Sequence, residues 1–215
     1  MVAKSTLYDL GIGAISACLD LIDGIAVHSF SAACSLAEQG INKNIYILCP
    51  LTMEWLQHTD LLEKHPNIIP CVDSLDIAKE LVLKSSKTIN VSVKINLGLN
   101  RFGIHPTELE SMINTFADSV VNVATIYSHF PGTTSAPIDE LKEKEAEFLS
   151  IVKPYQGKGI KFHVADSGCA VRNIGTSLDY VRVGLLPIGI DPVEVEHELV
   201  EGLALTFTVS THILN

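Results

Sequence analysis

The chain contains no pair of cysteines spaced as CxxC, and its five cysteines (Cys18, Cys34, Cys49, Cys71 and Cys169) are scattered and odd in number. That excludes a disulfide framework and the usual thiolate metal sites, and leaves them as small buried hydrophobes in a reducing compartment. Basic residues are scarce: 15 Lys and Arg against 25 Asp and Glu give a formal charge of −10 and a pI near 5.2. Such a surface disfavours nucleic acid and anionic membranes as partners. No apolar run reaches the ~18 to 20 residues that a membrane span needs, and the N-terminus lacks the basic, apolar, small-residue layout of a signal peptide. A soluble, cytoplasmic protein is the expectation. No GxGxxG follows any apolar run either, which counts against an open dinucleotide-binding sheet.

What is present is a packed globular chain of 215 residues, 47% hydrophobic and 19% charged. Short runs rich in β-branched residues, at 22–27, 44–49, 67–72, 89–95, 121–127, 160–165 and 180–186, have the look of buried parallel strands. Amphipathic stretches lie between them, among them SFSAACSLAEQG, closed by Gly40, and IDELKEKEAEFLSIVKPY, with apolar residues at three- and four-residue steps. Together with VAK at the N-terminus as the stub of one more, the strands number eight. The expectation is an α/β fold of the (β/α)8 TIM-barrel type over residues 1–200, with its first strand shortened. The alternation in LTFTVSTHI predicts that residues 201–215 hold the first strand of a C-terminal β-domain.

A barrel places its chemistry at the carboxyl ends of the strands. Polar residues expected there are Lys4 and Tyr8, Lys94 and Asn96, His129, Asp166 and Ser167, and Arg182 followed by Gly184. A lysine at a strand end can simply snorkel to water. Desolvated in an apolar barrel mouth, it can instead form a Schiff base with an aldehyde such as pyridoxal phosphate. DSG (166–168) and VGLL (183–186) fall where barrels commonly bind phosphate, although a Ser-Gly pair is also an ordinary turn.

Five stretches carry a family resemblance: VAKSTLYDLG (2–11), KINLGLNRFG (94–103), YSHF (127–130), HVADSG (163–168) and DYVRVG (179–184). In this order and spacing they resemble the N-terminal barrel of the alanine racemase family, enzymes that use pyridoxal 5'-phosphate. The resemblance implies that Lys4 holds the cofactor as a Schiff base and acts as one of two acid/base groups at the substrate Cα. It further implies that Tyr8, Ser167 and the backbone at Gly184 and Leu185 bind the phosphate, and that Arg182 faces the pyridine nitrogen with His129 supporting it. Arg101 would reach the phenolate oxygen and the substrate carboxylate, positioned by Lys94, which some members carry as a carbamate. The implied function is interconversion of L- and D-alanine, supplying peptidoglycan synthesis, by a full-length homodimer whose C-terminal β-domain provides the opposing tyrosine. A non-catalytic cofactor-binding barrel and a degenerate barrel are the alternatives.

Overall fold

The computed structural model describes residues 1–8, 11–195 and 202–206, and leaves out the side chains of Thr6 and Tyr8. Its centre is one parallel sheet of six strands in strict sequence order. They are β1 (Gly24–Val27), β2 (Asn44–Pro50), β3 (Ile68–Val72), β4 (Ile89–Lys94), β5 (Val121–Tyr127) and β6 (Lys161–His163). Helices Phe30–Glu38, Thr59–Lys64, Leu75–Lys84, Leu109–Phe116 and Ile138–Val152 return the chain between successive strands. Parallel neighbours require such crossovers, and the helices cover the sheet so that strands bury both faces. Every residue of β3 is accordingly buried.

Local chemistry sets the helix ends. Ser29 caps Phe30–Glu38, its hydroxyl accepting the Ala32 amide, and Gly40 takes a φ of +84° just beyond the end. In β3, Pro70 has no N–H to give, and the β2–β3 register slips between Tyr46 and Pro50. In Ile138–Val152, Leu141, Phe148 and Val152 form the stripe that packs inward, while the opposite face is charged.

Six consecutive strands make a curved half-barrel, and two shorter segments lie between its edges. Ala26 of β1 gives its N–H to Met1 O and accepts from Ala3, while Val2 donates to Val183 O at 2.8 Å. Arg182 in turn donates to Ala165 O, just beyond β6. Each segment makes one bridge only, Val2 to Ala26 and Asp166 to Arg182, so the strands expected at VAK and 180–186 are corrected to single bridges. The reasons are local. The Asp179 carboxylate takes the Phe162 amide, occupying a ladder position, and the chain turns into a 3₁₀ helix at Leu186–Ile188, where Pro187 removes a donor. The strand expected from residue 22 begins at Gly24, because Leu19–Leu21 forms a 3₁₀ turn first. The alternating C-terminal run enters the described residues only at Leu205 and Thr206, neither in a strand; 207–215 lie outside them. Among the described residues no helix is long and apolar enough to cross a membrane.

Candidate active site

The register of the sheet lines up Lys94 (β4), Tyr127 (β5) and His163 (β6) in one row. Arg182 lies over this row, its guanidinium carbon 5.2 Å from the Tyr127 ring centroid. One guanidinium nitrogen donates to His163 Nδ1, and the other donates to Ser128 O at 2.8 Å and Val164 O at 3.0 Å. A guanidinium only donates, so His163 must be the neutral tautomer, with Nδ1 as acceptor and its proton on Nε2. Burial, reinforced by Arg182, holds the His163 pKa well below its ordinary value. Tyr127 stacks on His163 at 5.0 Å and 11°, and its hydroxyl reaches Cys71 Sγ at 3.3 Å. Burial drives that phenol's pKa well above the usual range.

A cavity of about 190 Å³ opens beside this row and brings together Lys4, Lys94, Arg101, His129, Ser167, Arg182, Gly184 and Leu185. The Ser167 hydroxyl accepts the amides of Gly184 (3.0 Å) and Leu185 (3.2 Å), drawing the 184–185 backbone and the first residue of the Ser167–Val171 helix into a compact cup. Asp166 fixes the cup: its Oδ1 caps Ser167–Val171 through the Cys169 amide, and its Oδ2 accepts the Thr133 hydroxyl at 2.8 Å. A Cβ on Gly168 would come within 2.7 Å of Thr133 O, so the glycine lets this helix seat on the 131–136 turn.

Cations predominate around the cavity. Lys94 is 5% exposed and makes no hydrogen bond or ion pair among the described residues. Its ammonium lies 5.4 Å from the Phe102 ring and 5.7 Å from the Tyr127 ring. Burial lowers its pKa, and Arg101 and Arg182 add to the effect. Arg101 sits on an excursion closed by Ile104 N–H to Lys94 O and Asn96 N–H to Ile104 O. Within it Gly98, Asn100, Phe102 and Gly103 all have positive φ. The Asn96 side chain accepts the Gly98 and Asn100 amides, and Asp73 Oδ2 accepts that of Gly103 at 3.0 Å. Gly103 combines a φ of +109° with a Cβ position 2.7 Å from Asn96 N. Gly103→Ala is therefore expected to cost about 2–4 kcal/mol of stability by strain and clash. Denaturant unfolding checks this, and an unchanged midpoint would show that the excursion can move aside.

The structure places Lys4, Arg101, His129, Ser167, Arg182, Gly184 and Leu185 around this one cavity. The side chain of Tyr8 lies outside the described residues, as do Asp9 and Leu10. One expectation is corrected: the histidine bonded to Arg182 is His163, not His129. His129 instead faces Asp166, Nε2 to Oδ2 at 3.6 Å, and burial together with Arg182 brings its pKa to about 4. In the sequence His163 opens the HVADSG stretch (163–168), but nothing there ties it to Arg182.

Fold and cavity define a parallel α/β domain with a cationic site at the carboxyl ends of its strands. The family model described as "Alanine racemase, N-terminal domain" matches residues 1–192, and the chain belongs to that family. An alanine racemase of Nitrosomonas europaea is 26% identical over 99% of this chain and 59% of its own length. One from Methylacidiphilum infernorum is 28% identical over 89% of this chain and 49% of its own length. The chain therefore spans about half to three-fifths of these relatives. Among solved structures, alanine racemase from Corynebacterium glutamicum superposes with a TM-score of 0.76 at 24% identity, covering 95% of this chain and 59% of that one. A histidine racemase from Leuconostoc mesenteroides gives 0.78 at 18% identity, covering 89% and 53%. At these identities the superpositions speak for the fold alone.

Proposed function

We propose that this chain is the cofactor-holding part of a pyridoxal-phosphate-dependent amino-acid racemase acting on alanine. The observation that carries the reading is the meeting of Lys4, the Ser167–Gly184–Leu185 cup and Arg182 in one cavity, with His163 bonded to Arg182 from behind it. The residues fit the cofactor. The Ser167 hydroxyl has its own proton to give to a phosphate, the Gly184 and Leu185 amides would turn from Ser167 Oγ to reach one, and the cations Lys4, Lys94, Arg101 and Arg182 suit a ligand with several negative charges. The two single-bridge segments support reading the domain as an eightfold barrel with reduced first and last strands.

When bound, the cofactor supplies a conjugated ring that accepts electron density from the substrate Cα. Lys4 would hold it and move a proton at Cα. Ser167, Gly184 and Leu185 would hold the phosphate, with Tyr8 contributing, and Arg101 would hold the substrate carboxylate. Arg182 would face the ring nitrogen. Because a guanidinium keeps its proton, and because its other partner is a neutral imidazole, Arg182 would leave that nitrogen unprotonated. That favours brief deprotonation at Cα over transamination. The whole protein would act as a cytoplasmic homodimer on small amino acids.

The test is borohydride reduction of the chain mixed with pyridoxal phosphate, followed by peptide mapping. The pyridoxyl label is expected on Lys4 and is expected to vanish in Lys4→Ala. A label on another lysine, or none, overturns the reading.

A further inference from the structure

We infer that Asp73 is a positioning residue: by holding the Gly103 amide it fixes the excursion that carries Arg101 and Phe102 over the cavity, and so sets how firmly the site grips a carboxylate. The inference rests on the functional reading above for what Arg101 grips, but not for what Asp73 holds.

Asp73 directly follows β3, at the carboxyl end of the sheet, and is half-buried. Its bond to Gly103 joins residues 30 apart in sequence and ties the far half of the excursion to a neighbouring strand end. The near half is already tied, by Asn96 to Gly98 and Asn100. Arg101 and Phe102 lie between the two ties. Phe102 has a φ of +63°, a left-handed conformation that a bulky L-residue keeps only when its surroundings impose it. Phe102 is also 45% exposed, so little packing imposes it. The fixed points are the Ile95–Ile104 bridge, the Asn96 side chain and the Asp73 carboxylate, and only the last acts next to Phe102. A carboxylate accepting a backbone amide makes a short, charge-assisted bond, stronger than one made by a neutral acceptor. The same carboxylate acts on Lys94, where it opposes the effect of burial. Asp73 thus sits behind both the arginine and the lysine that the cavity presents, without lining the cavity itself.

The test compares Asp73→Ala with Asp73→Asn, which keeps an acceptor oxygen at nearly the same place. Hydrogen exchange of the 97–104 segment in the cofactor-free chain reads the tie directly. Affinity for acetate, read from the absorbance of the pyridoxal-phosphate-loaded chain, reads its consequence. Asp73→Ala is expected to speed exchange at Gly103 and weaken acetate each by about tenfold, while Asp73→Asn restores both to within about threefold of the original chain. Unchanged exchange and acetate affinity in Asp73→Ala overturn the inference. So does an Asp73→Asn chain as weak for acetate as Asp73→Ala although its exchange is slow, because the carboxylate would then act through charge alone. A starting chain that takes up no pyridoxal phosphate overturns the functional reading only, and the exchange rates then decide the role of Asp73.

Discussion

Acidification from pH 7 to pH 4 is expected to remove a large share of the stability of the cofactor-free chain, because two imidazoles are held neutral in its interior. His163 accepts from Arg182 through Nδ1, and burial with Arg182 keeps its pKa well below the ordinary value. His129 titrates at about 4, for burial first and Arg182 second, with Asp166 opposing. Both bind a proton in the unfolded chain below a pH of about 6.5, where the folded chain leaves them neutral. The unfolded state therefore carries more protons, and stability rises with pH through this window. Above about pH 6.5 the neutral imidazoles cost nothing, and below it each removes about 1.4 kcal/mol per pH unit until its folded pKa is reached. His129 alone amounts to about 3 kcal/mol by pH 4, and His163 adds to it in the same direction, a large share of the stability of a marginal domain of about 5–15 kcal/mol. Trp55, stacked on Phe30 at 4.4 Å, is the chain's single tryptophan and a convenient fluorescent reporter. Urea unfolding followed at this residue from pH 7 to 4 should show the slope, and His163→Gln should flatten it. A stability independent of pH across that window would mean that one or both imidazoles are already charged in the folded chain.

The residues that carry this effect mark the boundary between what sequence patterning reveals and what it does not. Strand positions from 44 to 127 are legible because parallel strands bury both faces and so read as unbroken apolar runs. The first and last segments read equally apolar, yet they make one bridge each. Hydrogen-bond competition from Asp179 and the donor missing at Pro187 leave no trace in hydrophobicity. Lys4, Ser167 and Arg182 are legible because they sit in quotable motifs at strand ends. His163 is not, since which of two histidines meets the guanidinium depends on register. β6 pairs its His163 with Tyr127, directly below Arg182, whereas His129 lies two residues past the end of β5 and turns toward Asp166. Asp73 is harder still, because its role comes from a contact with Gly103 that no local pattern encodes.

Loaded with pyridoxal phosphate, the chain alone is expected to exchange the Cα hydrogen of alanine with solvent, retaining configuration, about 10²- to 10⁴-fold faster than it racemises it. Racemisation removes a proton from one face of Cα and delivers one to the other, so it needs two positioned groups. On one side stands Lys4. Of the four tyrosines whose side chains are described, none is free to stand opposite, and Tyr8 is proposed for the phosphate. Tyr127 is buried between Arg182 and His163 with its hydroxyl on Cys71. Tyr46 and Tyr180, with ring centroids 6.2 Å apart, line a separate cavity of about 320 Å³. Tyr155 ends the Lys153–Tyr155 turn, where its ring meets Lys158. His129 does line the site, but at a pKa of about 4 it holds no extra proton near neutrality and is a weak base. Lys94 lines the site too, but its ammonium lies against the Phe102 and Tyr127 rings, 5.4 Å and 5.7 Å from their centroids. Proton traffic confined to one face returns the proton, or a deuteron, to the face it left. Incubating L-alanine with the loaded chain in D₂O, and following deuterium by mass and handedness by chiral chromatography, separates the two processes. D-alanine appearing in step with deuterium would overturn this assignment and place the second acid/base group within this domain, with His129 the first residue to replace.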